Sequence, residues 1–164
     1  MNEAQIELKF KSSRFRDLWL EFCQKHRDLY EVTCDEYTHL LASDIDELET
    51  TIDEKQNIIN YINKLELSRN QVAAEIATLM GLEKPEKLTT MLKYFHQHGL
   101  KNEADEVEKL NLVLLEIIEN IQAQNKKNQV FLNKAIISLN ELRHSFSGKE
   151  NFKTYSSSGM ARRG

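Results

Sequence analysis

Two Glu-x-x-His pairs are the residues of this chain whose types and spacing could do chemistry. They are Glu36–His39 and Glu141–His144, and two such motifs on facing helices of a bundle are what a di-iron carboxylate site requires. All the ligands would have to point inward. Glu36 falls on the apolar stripe of its helix, whereas Glu141 and His144 lie beside the stripe of theirs. We therefore expect no metal site, and a ferritin-like metal enzyme is an alternative that metal analysis would test.

Other chemistry has weaker support in the sequence. His96 and His98 are two residues apart, and side chains with that spacing on a helix do not face each other. No glycine-rich loop is present to bind phosphate. Cys23 and Cys34 lie on one predicted helix, roughly 16 Å apart at helical rise, which is too far for a disulfide. We expect no enzyme activity, no cofactor and free thiols.

The charge distribution argues against nucleic acid as a partner. The chain has a net charge of −4. Residues 147–164 carry four basic side chains and one glutamate, so they contribute +3 and the first 146 residues carry −7. An acidic body does not attract phosphate backbones. No apolar run is long enough to insert into a membrane, and the first residues lack a signal-peptide core, so we expect a cytoplasmic protein.

The scarcity of chain breakers predicts an all-α fold. The sequence has one proline and five glycines, and three of the glycines lie in the last 18 residues. The pattern predicts an elongated antiparallel bundle of three long helices plus one short helix. We expect helices from about Glu3 to Leu41, from a Ser43 or Asp44 cap to about Met80, from Pro85 to Gly99, and from about Asn102 to Phe146.

The first two helices carry apolar stripes at three-and-four spacing. Helix 1 has two adjacent stripes, so it should contact two neighbouring helices. The first stripe consists of Phe15, Leu18, Phe22, Leu29 and Leu40, and the second of Trp19, Cys23, Tyr30, Cys34, Tyr37 and Leu41. On helix 2, Lys55 and Arg69 fall on the apolar stripe. Their aliphatic stems should pack while their charged ends reach water.

The apolar stripe of helix 4 is interrupted by Asn125 and Asn128 and continues through Leu132, Leu139, Leu142 and Phe146. One interpretation is a polar layer that fixes the register of the helices. The other is that this half of the helix is loosely covered, so that its apolar side chains form a surface for a partner helix.

The C-terminal segment reads SGKENFKTYSSSGMARRG. Its polar, glycine-containing composition predicts a disordered tail over residues 147–164, which follows a helical domain over residues 1–146. The tail is either a simple disordered terminus or a segment that orders on a partner through Phe152, Tyr155 and Met160.

Three stretches of the sequence resemble the FlgN-type flagellar export chaperones. Residues 44–72 and 125–142 carry the similarity, together with Tyr155 shortly before Gly159. The matching positions are Asp44, Leu48, Lys55, Leu65, Glu66, Arg69, Asn125, Asn128 and Leu132.

This resemblance implies a small cytoplasmic chaperone of the flagellar type III secretion system. Such a chaperone binds the hook-associated (hook–filament junction) proteins FlgK and FlgL through their C-terminal helical segments, prevents their premature assembly and delivers them to the export apparatus, where it could contact export-gate components. In the family the client is held by the last helix and tail, which implies a site at Leu132, Leu139, Leu142, Phe146, Phe152 and Tyr155. A structural or adaptor coiled-coil protein of a secretion system is the alternative.

Overall fold

The computed structural model describes the backbone of residues 2–158 and the side chains of residues 2–147. That backbone holds four helices and no strand: α1 (Glu3–Ala42), α2 (Ile45–Leu79), α3 (Leu88–Gln97) and α4 (Lys101–Ser158). The prediction of an all-α fold with three long helices and one short helix is confirmed. The chain divides into two compact units, residues 1–124 and residues 125–164.

Side chains cap the first two helices at their N-termini. The Asn2 side chain accepts a hydrogen bond from the Gln5 backbone N–H at 2.8 Å, and the Gln5 side chain accepts one from the Asn2 N–H at 3.0 Å. This reciprocal pair is a capping box. At the start of α2, Asp44 Oδ1 accepts the Glu47 N–H at 3.2 Å. Of the two predicted cap residues, Ser43 and Asp44, the cap is therefore Asp44.

Glycines end α2 and α3 because a left-handed backbone is needed there. Gly81 has φ of +78° and Gly99 has φ of +76°, a region that costs glycine little. Past Gly99, the Leu100 N–H donates to the Phe95 carbonyl at 2.9 Å, and the Leu100 side chain is buried in the core. These positions agree with the predicted helix ends.

The predicted start of α3 at Pro85 was wrong. The helix begins at Leu88, after Lys87, whose backbone is extended with φ of −59° and ψ of +150°. Pro85 lies in the non-helical connection. Proline at the first helical position requires the chain to continue as helix at once, and here Glu86 and Lys87 are still non-helical.

In unit 1, α1 packs between two neighbours. Salt bridges Lys11–Glu75 and Glu36–Lys55 show that α2 runs antiparallel to α1. Contacts Arg16–Glu106 and Cys23–Leu110 show that the beginning of α4 runs parallel to it. Helix α3 adds an edge-on contact between Phe95 and Phe15, whose ring centroids are 6.3 Å apart. The double stripe of helix 1 thus predicted its two partners correctly.

The buried core is concentrated where all four helices meet. It holds Leu8, Phe15, Leu18, Trp19, Phe22, Cys23, Leu65, Val72, Ile76, Met91, Leu92, Phe95, Leu100, Ala104, Val107 and Leu114. Near the α1–α2 turn fewer side chains are buried: Leu41, from the second stripe of helix 1, is exposed, and so are Ile45 and Ile52 of α2. Burial at Val32 and Thr33 continues the interior into the second half of α1.

Unit 2 contains the remainder of α4. The helical backbone continues to Ser158, past the predicted end at Phe146. Side chains are described up to Ser147. The domain boundary at 146 and the disorder expected for residues 147–164 stay predictions.

Candidate functional site

The residues that suggested a metal site are engaged elsewhere or exposed. Glu36 does point inward, but its Oε1 lies 3.2 Å from Lys55 Nζ, with the two side chains 17% and 16% exposed. Glu141 and His144 are both exposed. Among the residues whose side chains are described, no group of three or more His, Cys, Asp or Glu residues could hold a metal ion.

Both cysteines are free thiols, in different surroundings. Cys23 is buried, and its Sγ donates to the Leu110 carbonyl at 3.3 Å. Burial raises the pKa of the Cys23 thiol, with nearby Arg27 acting in the opposite direction. Cys34 is half-buried. Reactivity requires the thiolate, so the environment of Cys23 is that of a structural thiol.

Lys55 and Arg69, the two cations on the apolar stripe of α2, behave differently from each other. The Arg69 guanidinium lies over the rings of Trp19 and Phe22, at 5.5 and 5.0 Å from their centroids. Its charged end thus packs on these rings and also pairs with Glu66, whereas water was the predicted surrounding. The charged end of Lys55 meets Glu36 instead of water. Opposite charges on two facing stripes were the sequence signal for this pair, and it was overlooked.

The described part of unit 2 presents a row of exposed apolar side chains. Leu132 is 38% exposed, Leu139 57%, Leu142 56% and Phe146 63%. Leu132, Leu139 and Phe146 are seven residues apart, or about two helical turns, so they lie on one side of α4. The sequence-predicted residues therefore share one exposed stripe over about four turns.

One residue of this stripe was missed by the sequence reading. Ile136 is 47% exposed and lies four residues after Leu132 and three before Leu139, which places it beside both. Val130 and Ile137 are also exposed, at 44% and 57%, but their phase puts them on the opposite side of the helix. A count of apolar residues at i+3 and i+4 would have found Ile136.

The stripe begins next to the two asparagines. Asn128 is buried, at 5% exposure, whereas Asn125 is exposed. The apolar row that follows Asn128 is exposed along its whole described length, from Leu132 to Phe146. We define the α4 surface as Leu132, Ile136, Leu139, Leu142 and Phe146.

The remaining predicted site residues lie beyond the α4 surface. Phe152 and Tyr155 belong to the helical backbone of α4, and their side chains are outside the described set. Met160 is outside the described residues. Within the described part of the chain, no helix combines the length and apolar composition that crossing a membrane requires.

Comparison with known protein families agrees with the sequence resemblance. The model of a family described as FlgN protein matches residues 17–163, which is nearly the whole chain. Searches of curated proteins and of solved structures gave no match. The family match includes all of α2 and α3, the α4 surface, Phe152, Tyr155 and Met160. The chain belongs to the FlgN family and is a flagellar export chaperone.

Proposed function

We propose that this chaperone binds hook–filament junction proteins, the FlgK and FlgL type of client, through their C-terminal helical segments. It prevents their premature assembly in the cytoplasm and delivers them to the type III export apparatus. The observation that carries this proposal is the α4 surface, an apolar stripe left exposed in the second half of a long helix. An amphipathic helix laid against such a stripe is a common mode of peptide recognition.

The size of the α4 surface favours a complex that can release its client. Moving one exposed leucine, isoleucine or phenylalanine side chain fully out of water is worth about 1.5–3 kcal/mol, and the five residues here are already partly covered. Association costs about 4–15 kcal/mol in lost freedom of motion. The surplus from five half-covered side chains is therefore modest, which suits a protein that has to release its cargo.

The tail completes the proposed site. Phe152, Tyr155 and Met160 follow the stripe in sequence, and we propose that they add contacts to the client. Ordering a chain segment on a partner costs about 1–2 kcal/mol per residue in backbone entropy, so the tail would extend the contact while limiting its net affinity.

Two matched double variants test the α4 surface. Leu139→Ser with Leu142→Ser removes two side chains of the stripe, and Val130→Ser with Ile137→Ser removes two exposed side chains from the opposite side. Binding to purified junction proteins should fall at least about tenfold in the first variant, because two leucine contacts are worth more than 1.4 kcal/mol together. The second variant should bind as the full-length chain does.

The outcomes separate the site from the identity of the client. Equal loss in both variants would mean that the stripe is not the contact surface. If the unmodified chain forms no discrete complex on a sizing column, the client assignment fails. A complex with the full chain but not with residues 1–146 would assign the tail to the site. Self-association that persists when a client is added, with no complex formed, would favour the structural coiled-coil alternative.

A further inference from the structure

One cation lies within the apolar stripe of the α4 surface. Arg143 is exposed; it follows Leu139 by four residues and precedes Phe146 by three, so it is their neighbour on the same side of α4. Ile136 comes seven residues before it, or about two helical turns, and lies on that side as well. A guanidinium therefore interrupts the stripe between its apolar members.

No carboxylate balances this guanidinium among the described side chains. Arg143 makes no hydrogen bond or ion pair with any of them. The polar residues one turn away on its own side are Asn140 and Ser147, and both are uncharged. Within the described part of unit 2, the single carboxylate is Glu141, two residues away, and side chains with that spacing do not face each other. The α4 surface thus presents a positive charge and no negative one.

A client helix laid on this stripe would take water away from the guanidinium. A desolvated charge without a partner is costly, so a helix that offers only apolar side chains loses part of what it gains by covering Leu139 and Phe146. A carboxylate in the apolar row of the client removes that penalty, because guanidinium and carboxylate can pair through two parallel hydrogen bonds. The pair also holds the client in one register, since the carboxylate meets a cation at one position along the stripe.

The same charge distinguishes one helix from another. Specific recognition depends on penalties against the wrong partner as well as on attraction to the right one. A helix with lysine or arginine at the matching point would bring two cations together, and a wholly apolar helix would leave Arg143 unpaired in the contact. Both are disfavoured relative to a helix that carries aspartate or glutamate there.

We infer that Arg143 determines which helices the α4 surface accepts, and that it selects an amphipathic helix with one aspartate or glutamate inside its apolar row. This inference rests on the proposed function, because it takes the α4 surface as the client site. Two features then define the occupant. Apolar side chains at three-and-four spacing cover the stripe, and a carboxylate among them pairs with Arg143.

Helical peptides test the inference without any junction protein. Three peptides of about 18 residues share an alanine- and glutamine-rich sequence with leucines at three-and-four spacing. They differ at one position in the middle of the leucine row, which is glutamate, glutamine or lysine. Isothermal titration calorimetry measures their binding to the full-length chain. The glutamate peptide should bind at least about tenfold more tightly than the lysine peptide, with the glutamine peptide between them, and added salt should narrow the difference.

Two charge reversals locate the effect. Arg143→Glu should invert the order, so that the lysine peptide binds most tightly. Lys134→Glu makes the same change of charge at an exposed position nine residues earlier, on the opposite side of α4, and should preserve the order. Arg143→Gln removes the charge without reversing it and should bring the three affinities to within about twofold of one another. Circular dichroism should show unchanged helicity in all three variants, since both positions are exposed.

The outcomes separate this inference from the identity of the client. A preference for the glutamate peptide that depends on Arg143 supports it even if junction proteins form no complex, in which case the client assignment alone fails. Equal binding of the glutamate and lysine peptides, or no binding of any peptide, overturns it even if junction proteins do bind. An order that Arg143→Glu leaves unchanged also overturns it. A dimer of the chain that Arg143→Glu dissociates, with no peptide bound, would assign the stripe to a second copy and contradict the inference.

Discussion

Glu36 Oε1 and Lys55 Nζ lie 3.2 Å apart, with both side chains more than four-fifths buried. Each residue lies on a stripe of its helix that is otherwise apolar, so the pair joins α1 to α2 within the packed interface. The same glutamate is the first residue of a Glu-x-x-His motif. Its partner in the fold is an ammonium group.

Loss of one member of this pair should cost more than loss of both. Lys55→Met leaves the Glu36 carboxylate in a poorly solvated interface, and we expect the free energy of unfolding to fall by about 1–3 kcal/mol. Adding Glu36→Gln should recover part of this loss, which urea unfolding followed by circular dichroism would measure. Lys64→Met, at an exposed position of α2, should change stability by less than about 0.5 kcal/mol. Equal effects at the two lysines would contradict this account.

The Lys11–Glu75 salt bridge should make stability depend on pH. Lys11 Nζ lies 2.6 Å from Glu75 Oε2; this hydrogen bond lowers the pKa of Glu75 and raises the pKa of Lys11. The contribution of Glu75 is present above its ordinary pKa of 4.5 and is lost as pH falls through the lowered pKa. The contribution of Lys11 is lost as pH rises through its raised pKa.

Comparison with Glu75→Gln measures this contribution. The unmodified chain should be the more stable of the two near pH 7, and the difference should shrink steadily as pH falls below about 4.5. Urea unfolding at a series of pH values gives the curve. Glu54→Gln removes an exposed carboxylate from the same helix and controls for net charge. A difference that grows with acidity would contradict the sign assigned here.

Ser43 is a site where glycine should stabilise the fold. It is the one residue other than glycine with a positive φ in the described backbone, at +54°, and it joins α1 to α2. A side chain in this region costs about 1–2 kcal/mol in the folded state. Glycine removes that cost, but its greater freedom in the unfolded chain offsets part of the gain. We expect Ser43→Gly to raise the free energy of unfolding by up to about 1 kcal/mol. Ala74→Gly, inside α2, should lower it by a similar amount; a loss of stability in both would count against the turn geometry.

The two thiols should react at different rates. Cys23 is buried with a raised pKa, whereas Cys34 is half-buried. In the single-cysteine variants Cys34→Ala and Cys23→Ala, a maleimide should label Cys34 roughly ten times faster or more under native conditions. The rates should converge in concentrated urea, where both thiols are exposed. Equal native rates would show that Cys23 is reached through local opening of α1 and α4.

Local chemistry predicted most helix ends. Asp44, Gly81 and Gly99 act through their own backbone geometry or side chains, so the residue type was enough. Pro85 was misleading because proline is compatible with both a first helical turn and an extended connection, and the choice depends on the packing of α3. The stripe of helix 1 overestimated burial near Leu41, since periodicity gives a direction and not the extent of a neighbour.

The sequence was less informative about sites that need several helices. The α4 surface was visible in the sequence as an apolar stripe. Its exposure depends on whether another helix covers it, which the stripe itself does not indicate. Glu36 and Lys55 were each placed on an interior face, but their meeting depends on the register of α1 against α2. A cavity lined by Trp19, Arg69 and Leu115 has walls from all four helices, so no pattern within one segment predicts it.

The α4 surface also bears on how client binding depends on the concentration of the chaperone. A stripe of aliphatic and aromatic side chains that fits an apolar helix also fits a copy of itself. If the stripe binds an apolar client helix, a second chaperone molecule would compete with the client for the same five residues. The apparent affinity for a client would then fall as the chaperone became more concentrated, so the affinity of the chain for itself would set the lowest client affinity that remains useful.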